Sequence, residues 1–323
     1  TGGKFDGVAG VLAGLEVIRT LNDAAYETDH PVMVVNWTNE EGSRFAPAML
    51  ASGVWAKAFT KEFAYGRTDR DGKRFGDELE RIGFMGELPC EPQRWKCHFE
   101  LHIEQGPILE AEGKTIGVVT GGQGIRWLDV VITGQESHAG STPMPRRKDA
   151  LVGAARIIQR LDAIAREHPP QAVITVGEIK IAKPSRNVIP GEVWFSVDMR
   201  HPEEPVIEAM TAKLRAAVEE ACARDGLGGE VKQLWHFPPV AFDPACIAAV
   251  RKAAQEAGYS WREIVSGPGH DSCYTARVVP TSMIFVPCKD GLSHNEEEWA
   301  EPEHLEAGAN VLLRAVLEMA KAG

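Results

Sequence analysis

The chain has 323 residues, 44% hydrophobic and 25% charged, an ordinary globular composition that excludes collagen-like and disordered chains. Lys and Arg total 35 against 46 Asp and Glu, and the net charge of −11, with no basic block, argues against nucleic acid and anionic membrane as partners. No apolar run nears the ~18 residues that span a bilayer, no signal-peptide core opens the chain, and the six cysteines form no Cys-x-x-Cys pair, which fits reduced thiols in a cytoplasmic protein.

Residues 8–25 carry apolar side chains at helical spacing. Pro31 then opens the run Val32-Met33-Val34-Val35, which reads as a buried strand delivering Thr38-Asn39-Glu40-Glu41-Gly42 at its carboxyl end. Helix followed by buried strand predicts an α/β sheet, and such sheets gather ligands at the carboxyl ends of their strands. Residues 46–110 read as helices and loops, with a short strand over 97–103 feeding His102 and Glu104. Near Gly121-Gly122-Gln123-Gly124 the texture changes. A strand (127–133) leads to a Gly/Ser/Pro-rich loop (134–145) and a long helix (147–167). Two strands (172–182 and 191–200), a helix (203–224) and a last strand (230–237) follow. This β-α-β-β-α-β order is ferredoxin-like. The expected organisation is therefore an α/β domain made of residues 1–121 and 239–323, with an α+β domain over 122–238 inserted in it. The returning part reads as a helix (244–257), a Gly-rich polar loop (265–274), a strand (281–286), a loop (288–296) and a final helix (303–321).

The chemistry-bearing residues sit at strand ends and in glycine-containing loops: Asp6, Glu40, Glu41, His102, Glu104 and His294. Imidazole and carboxylate are the ligands that borderline divalent metals prefer. Any one of these residues is equally well explained as a cap or a solvated loop residue, and Asp6 could simply cap the helix after it. Taken together they point to a metal site. At a strand end, adjacent side chains point to opposite sides, so one of Glu40 and Glu41 would bind metal while the other faces water as general base. In the inserted domain, His138 reads either as a surface residue or as a donor to a developing oxyanion. Arg200 suits a bidentate carboxylate clamp, with Asn187 adding amide hydrogen bonds. Arg126, Arg146, Arg147 and Arg186 default to solvated positions. His270-Asp271 reads as a pair that orients ligands from behind or as a turn that orients backbone, and Cys273 leaves open a thiol-nucleophile reading.

Seven motifs occur in order: Gly-Gly-Lys-Phe-Asp-Gly (2–7), Asn-Glu-Glu-Gly-Ser-Arg-Phe (39–45), Glu-Leu-His-Ile-Glu-Gln-Gly-Pro (100–107), His-Ala-Gly-Ser-Thr-Pro-Met (138–144), Arg-Asn-Val-Ile-Pro-Gly (186–191), Gly-His-Asp (269–271) and Gly-Leu-Ser-His-Asn-Glu (291–296). Together they resemble the N-carbamoyl-L-amino-acid hydrolases, with β-ureidopropionases and allantoate amidohydrolases as siblings, within the dinuclear metallo-aminoacylases and carboxypeptidases. The resemblance implies a metallo-aminopeptidase-like catalytic domain with an inserted ferredoxin-like lid and dimerisation domain. It implies two divalent ions (zinc, manganese, cobalt or nickel), with Asp6 bridging, Glu41 and His294 completing one site, and His102 in the other. Glu40 would be the general base. His138 would polarise the carbonyl, donated from the second subunit of a homodimer. Asn187, Arg200 and Gln105 would hold the substrate, with Arg200 on its carboxylate. The implied substrate is an N-carbamoyl amino acid, with allantoate or a peptide-like amide as the alternative.

The family carries a further histidine ligand in a Ser-His-x-Asp-type segment ahead of the Gly-Gly-Lys-Phe-Asp-Gly loop. Here the chain opens at that loop, without a preceding strand. The expectation is an N-terminally truncated chain whose second metal site keeps only Asp6 and His102, with weakened or lost activity and exposed apolar surface. A non-catalytic dimeric scaffold is the alternative of another class.

Overall fold

The computed structural model describes residues 3–321. Residues 1–2, which include Gly2 of the first motif, and residues 322–323 lie outside them. In chain order the elements are α1 (Val8–Asp23), α2 (Leu50–Trp55), α3 (Lys61–Tyr65), α4 (Phe75–Arg81), β1 (His98–Ile103), α5 (Ile108–Ala111), β2 (Ile116–Gly122), β3 (Gly124–Thr133), β4 (Ser137–His138), α6 (Ala150–Arg166), β5 (Val173–Thr175), β6 (Ile179–Ile181), β7 (Val188–Ile189), β8 (Glu192–His201), α7 (Glu204–Asp225), β9 (Gly228–Phe237), β10 (Val240–Ala241), α8 (Pro244–Glu256), β11 (Trp261–Ser266), α9 (Asp271–Thr275), β12 (Thr281–Val286) and α10 (Pro302–Met319). The chain divides into two compact units, one formed by the residues up to Gly122 and from Val240 onward, the other by Gln123–Pro239.

The larger unit is built on a mixed sheet in the order β1-β12-β2-β10, with β11 also paired to β2. Strand β12 (Thr-Ser-Met-Ile-Phe-Val) is buried along its whole length, as expected of a strand covered on both faces. It pairs in parallel with β1 from His98↔Thr281 to Ile103↔Val286 and antiparallel with β2. Alternation sorts β1 into two faces. Leu101 and Ile103 join the core with residues of α1, α8 and α10, and His98, Glu100 and His102 face the other way. Helix α8 is entered cleanly because Asp243 caps it, accepting from the Ala245 and Cys246 N–H groups at 2.9 and 3.0 Å, with Pro244 at its first position.

The smaller unit is an antiparallel sheet in the order β5-β8-β3-β9, with β6 also on β8. Strand β3 pairs with β8 without a break from Gly124↔His201 to Thr133↔Glu192. Helices α6 and α7 cover one face and bury Leu128, Val130, Ile132, Val193, Phe195, Val197 and Met199. The other face carries the alternate residues, among them Trp127, Asp198 and Arg200. Asp149 caps α6, and Gly226 at φ 65° ends α7.

The structure departs from the sequence reading at several points. Residues 32–35 form no strand. No described strand pairs with them, and Met33 is 61% exposed. The expected strand over 172–182 is two short pieces, β5 and β6, that meet β8 at different places. Strands β2 and β11 are not expected from the sequence: Gly117, Gly121 and Gly122 dilute the β signal of the first, and the loop read over 265–274 contains the end of β11 and most of α9. Arg126 is buried, not solvated. Its guanidinium meets Glu204, Glu208 and Thr211 at 2.8, 2.6 and 3.0 Å.

Candidate metal centre and active site

Asp6 does not cap α1. The cap position is Gly7, and no side chain accepts from the first turn. The Asp6 carboxylate turns inward instead, with its side chain 8% exposed. Its Oδ1 lies 3.1 Å from His102 Nε2 and its Oδ2 lies 2.9 Å from His294 Nε2, while Glu41 Oε1 lies 3.5 Å from the same His294 nitrogen. Ligands held ~2.0–2.2 Å from one ion stand about this far apart. His102 Nδ1 is 2.8 Å from the Ile103 carbonyl oxygen, an acceptor, so this nitrogen carries hydrogen and Nε2 is the ligating atom. Among the described residues, two groups of donor atoms are close enough to hold an ion: Asp6–Glu41–His294 and Glu100–His102–His270. The residues therefore fit a divalent cation.

The electrostatics agree with a site built for positive charge. Burial alone would raise the Asp6 pKa, but His102, His294 and Ser293 outweigh it and hold it below the usual value. Burial would lower His102, but Asp6, Glu100 and the Ile103 carbonyl lift it to about 9. Glu40 is pushed up to about 7, first by burial and then by Glu41, Glu100 and Asp6. Without a bound cation, this many carboxylates cannot all ionise comfortably. Asp271 is raised well above its ordinary range by burial and by Glu100, and its carboxyl meets the Ser52 hydroxyl.

The Asn39–Gly42 turn that presents the two glutamates is fixed locally. Asn39 adopts φ 60° and donates from Nδ2 to the Phe45 carbonyl at 2.7 Å. Gly42 adopts φ 65°, and a Cβ there would lie 2.5 Å from the Ala48 nitrogen. Asp6, Glu40, Glu41, His102 and Asp271 line one cleft of about 1480 Å³ within the larger unit. Its wall also carries Trp37, Trp95 and the exposed Val8, Leu12 and Met33.

Other expected residues fall elsewhere. Glu104 is not a ligand, since its two oxygens accept from the Ile108 and Leu109 N–H groups at 2.9 and 2.8 Å and start α5. Gln105 places its amide on Asp6 Oδ2 (3.0 Å) and Ser293 Oγ (2.9 Å). Cys273 is buried, with its thiol pushed up to about 12 by burial, which removes the thiol-nucleophile reading. In the smaller unit, His138 Nδ1 accepts from the Gly140 and Ser141 N–H groups at 3.0 and 3.2 Å. The ring hydrogen is thus on Nε2, which is free to donate. His138 and Asn187 are joined through β4 and β7, and the Ser185 hydroxyl donates to Asn187 Oδ1 at 2.7 Å. Arg200 is not beside them. It lies near the far end of β8, a strand ~30 Å long at ~3.3 Å per residue, and grips Asp198 through two hydrogen bonds of 3.0 and 2.9 Å.

Sequence reasoning passed over Glu100, Ser293 and Glu298 and left His270 undecided. Glu100 was findable, because it sits two residues before His102 and so shares its face of β1. His270 packs its ring 4.5 Å from that of His102, and its Nε2 is buried without a hydrogen-bond partner among the described residues. Glu298 closes a run of three acids and is fully buried.

Comparison with known proteins decides the family. Residues 2–318 match the model of Peptidase family M20/M25/M40. The chain belongs to this family. An N-carbamoyl-L-amino-acid amidohydrolase of Rhizobium meliloti is 52% identical over 321 residues, which is 99% of this chain and 77% of that protein. An allantoate amidohydrolase of Bacillus subtilis is 34% identical, over 99% of this chain and 78% of that protein. The crystal structure of an amidase of the hydantoinase/carbamoylase family from Burkholderia multivorans superposes with a TM-score of 0.97 at 59% identity, covering all of this chain and 78% of that one. As a member of the M20 family the protein is a metal-dependent hydrolase of C–N bonds with the α/β fold of that family. No helix among the described residues is long and apolar enough to cross a membrane.

Proposed function

We propose that this chain hydrolyses the carbamoyl C–N bond of N-carbamoyl-L-amino acids, giving the amino acid, carbon dioxide and ammonia. The observation that carries the reading is the Asp6-centred cluster with Glu40 beside it, in a chain 52% identical to an N-carbamoyl-L-amino-acid amidohydrolase. Two divalent ions of the zinc, manganese, cobalt or nickel class are proposed. Asp6, Glu41 and His294 would hold one, and Asp6 and His102, bordered by Glu100 and His270, would hold the other. Such ions, when bound, supply Lewis-acid polarisation of the ureido carbonyl and acidify water.

Glu40 takes the proton of the attacking water and returns it to the nitrogen of the amino acid as that nitrogen leaves. The other product is carbamic acid, which falls apart into carbon dioxide and ammonia. His138 Nε2–H donates to the oxyanion, Asn187 adds an amide hydrogen bond and Arg200 takes the substrate carboxylate. Arg200 must leave Asp198 to do so. A lid and dimerisation role is proposed for the smaller unit. The separation of Arg200 from His138 and Asn187 supports a homodimer in which each site draws Arg200 from one copy and His138 from the other. The sparse, unpatterned cysteines support a cytoplasmic location.

The test is a panel of N-carbamoyl-L-amino acids, N-carbamoyl-β-alanine, allantoate and dipeptides, assayed with added Zn²⁺ or Mn²⁺ and again with a chelator. The expected result is chelator-sensitive release of amino acid and ammonia from N-carbamoyl-L-amino acids. Turnover of allantoate alone would move the protein to the sibling activity, and turnover of none, with ions bound, would favour a scaffold.

A further inference from the structure

We infer that Glu298 is a positioning residue that sets the Asp6 carboxylate for cation binding; this rests on the metal-site reading above. Glu298 is fully buried. Its Oε1 accepts from the backbone N–H groups of Phe5 and Asp6 at 2.8 and 3.0 Å, and its Oε2 accepts from the Ser293 hydroxyl at 3.0 Å. The chain comes close enough for this only because residue 3 is glycine: a Cβ there would overlap the Glu298 carboxylate. Phe5 packs edge-on against Trp299, next in sequence to Glu298, with ring centroids 5.5 Å apart.

The grip reaches the Asp6 side chain as well as its backbone. Gln105 Nε2 has two hydrogens. One goes to Asp6 Oδ2 at 3.0 Å and the other to Ser293 Oγ at 2.9 Å. Ser293 thus accepts from Gln105 and donates its single hydroxyl hydrogen to Glu298, the nearer of its two carboxylate neighbours, Asp6 Oδ2 being 3.4 Å away. The ring Asp6–Gln105–Ser293–Glu298–Asp6 N–H is closed and directional. It orients Oδ2 toward His294 and leaves Oδ1 to His102. Helix α1 offers no such hold, since Asp6 precedes its cap position and the cap makes no side-chain hydrogen bond.

A residue that only stiffens the loop would change stability. One that aims a ligand changes ion affinity more than stability, by ~10–100-fold for partners of this kind. The full chain and its Glu298→Gln and Ser293→Ala variants, stripped with chelator, are titrated with Zn²⁺ against a chromophoric chelator, and ion-free melting temperatures are recorded in the same buffer. Glu298→Gln puts an amide N–H against the Ser293 hydroxyl, reversing one link. It is expected to weaken Zn²⁺ binding ~10–100-fold with ion-free melting nearly unchanged. Ser293→Ala is expected to weaken it about two- to tenfold, the worth of one hydrogen bond. Unchanged affinity in a folded Glu298→Gln chain overturns the proposal and leaves the metal site standing. So does a loss that merely tracks lowered melting. If Glu298→Gln does not fold, unchanged affinity in Ser293→Ala overturns it. A parent chain that binds no Zn²⁺ overturns it together with the functional reading.

Discussion

Glu40 and Glu41 are adjacent in sequence and differ in setting. Glu41 is exposed and reaches His294, whereas Glu40 is more buried and its carboxyl is raised to about 7. A carboxyl poised near neutral pH is suited to take and return one proton. Replacing Glu40 by Gln should lower kcat ~10²–10⁴-fold while leaving Zn²⁺ stoichiometry as in the parent, read by rapid-mixing assays and metal analysis on the same preparation. The same shift has a consequence for the ion-free protein. A folded-state pKa above the ordinary 4.5 means that the fold holds the proton more tightly than the unfolded chain does. The resulting stability is fully present below about pH 4.5 and is lost as pH rises through about 7. Chelator-treated parent should therefore lose more melting temperature over that window than Glu40→Gln does, and identical pH profiles would contradict the assigned burial. His102, raised to about 9 beside Asp6, should stay protonated in the ion-free protein through neutral pH.

At the scale of elements, β1 and β12 carry the larger unit. Phe285 is 1% exposed near the carboxyl end of β12 and its ring faces those of His102 and His270. Phe285→Ala should cost ~3–5 kcal/mol of stability, measured by denaturant unfolding of the ion-free chain, and should loosen both histidines. Most long elements were legible because their periodicity is strong: α1, α6 to α8, α10, β3, β8, β9 and β12 all fall within a few residues of their expected places. What escaped depends on partners distant in the chain. The run Val32–Val35 has the composition of a strand, but a strand exists only where a neighbour completes the ladder. Strand β2 has such neighbours on both sides although its glycines hide it. The site shows the same division. Asp6, Glu41, His102 and His294 could be picked out by residue type and loop context, whereas Glu298 looks like one of three solvated acids until its buried hydrogen bonds are seen. Arg200 was read as a ready carboxylate clamp, and the structure shows that clamp already closed on Asp198.

For the whole molecule, the length of β8 is the informative quantity. His138 and Arg200 belong to its opposite ends, so one small substrate cannot meet both from a single copy. The proposed twofold dimer would bring the complementary ends together. Mixing His138→Ala and Arg200→Ala chains, allowing exchange and assaying at substrate far below the raised KM of the Arg200 variant, where neither variant alone turns over, should restore activity to about a quarter of the parent level, because half the dimers are mixed and each then has one intact site. No recovery, with exchange verified, would place both residues in the site from the same chain or in none. With a net charge of −11, the chain as a whole does not steer an anion toward itself, so Arg200→Ala should act through a local contact and raise KM more than it lowers kcat.

If the Asp6 cluster is a cation site on which hydrolysis depends, turnover must follow the number of ions bound. Chelator-stripped protein is given Zn²⁺ in sub-stoichiometric steps, and bound ion and turnover of an N-carbamoyl-L-amino acid are measured on each sample. Turnover should be absent without ion and rise with occupancy, and replacing Asp6 by Asn should remove at least one ion equivalent. Turnover independent of bound ion, or full ion binding by Asp6→Asn, would contradict this assignment.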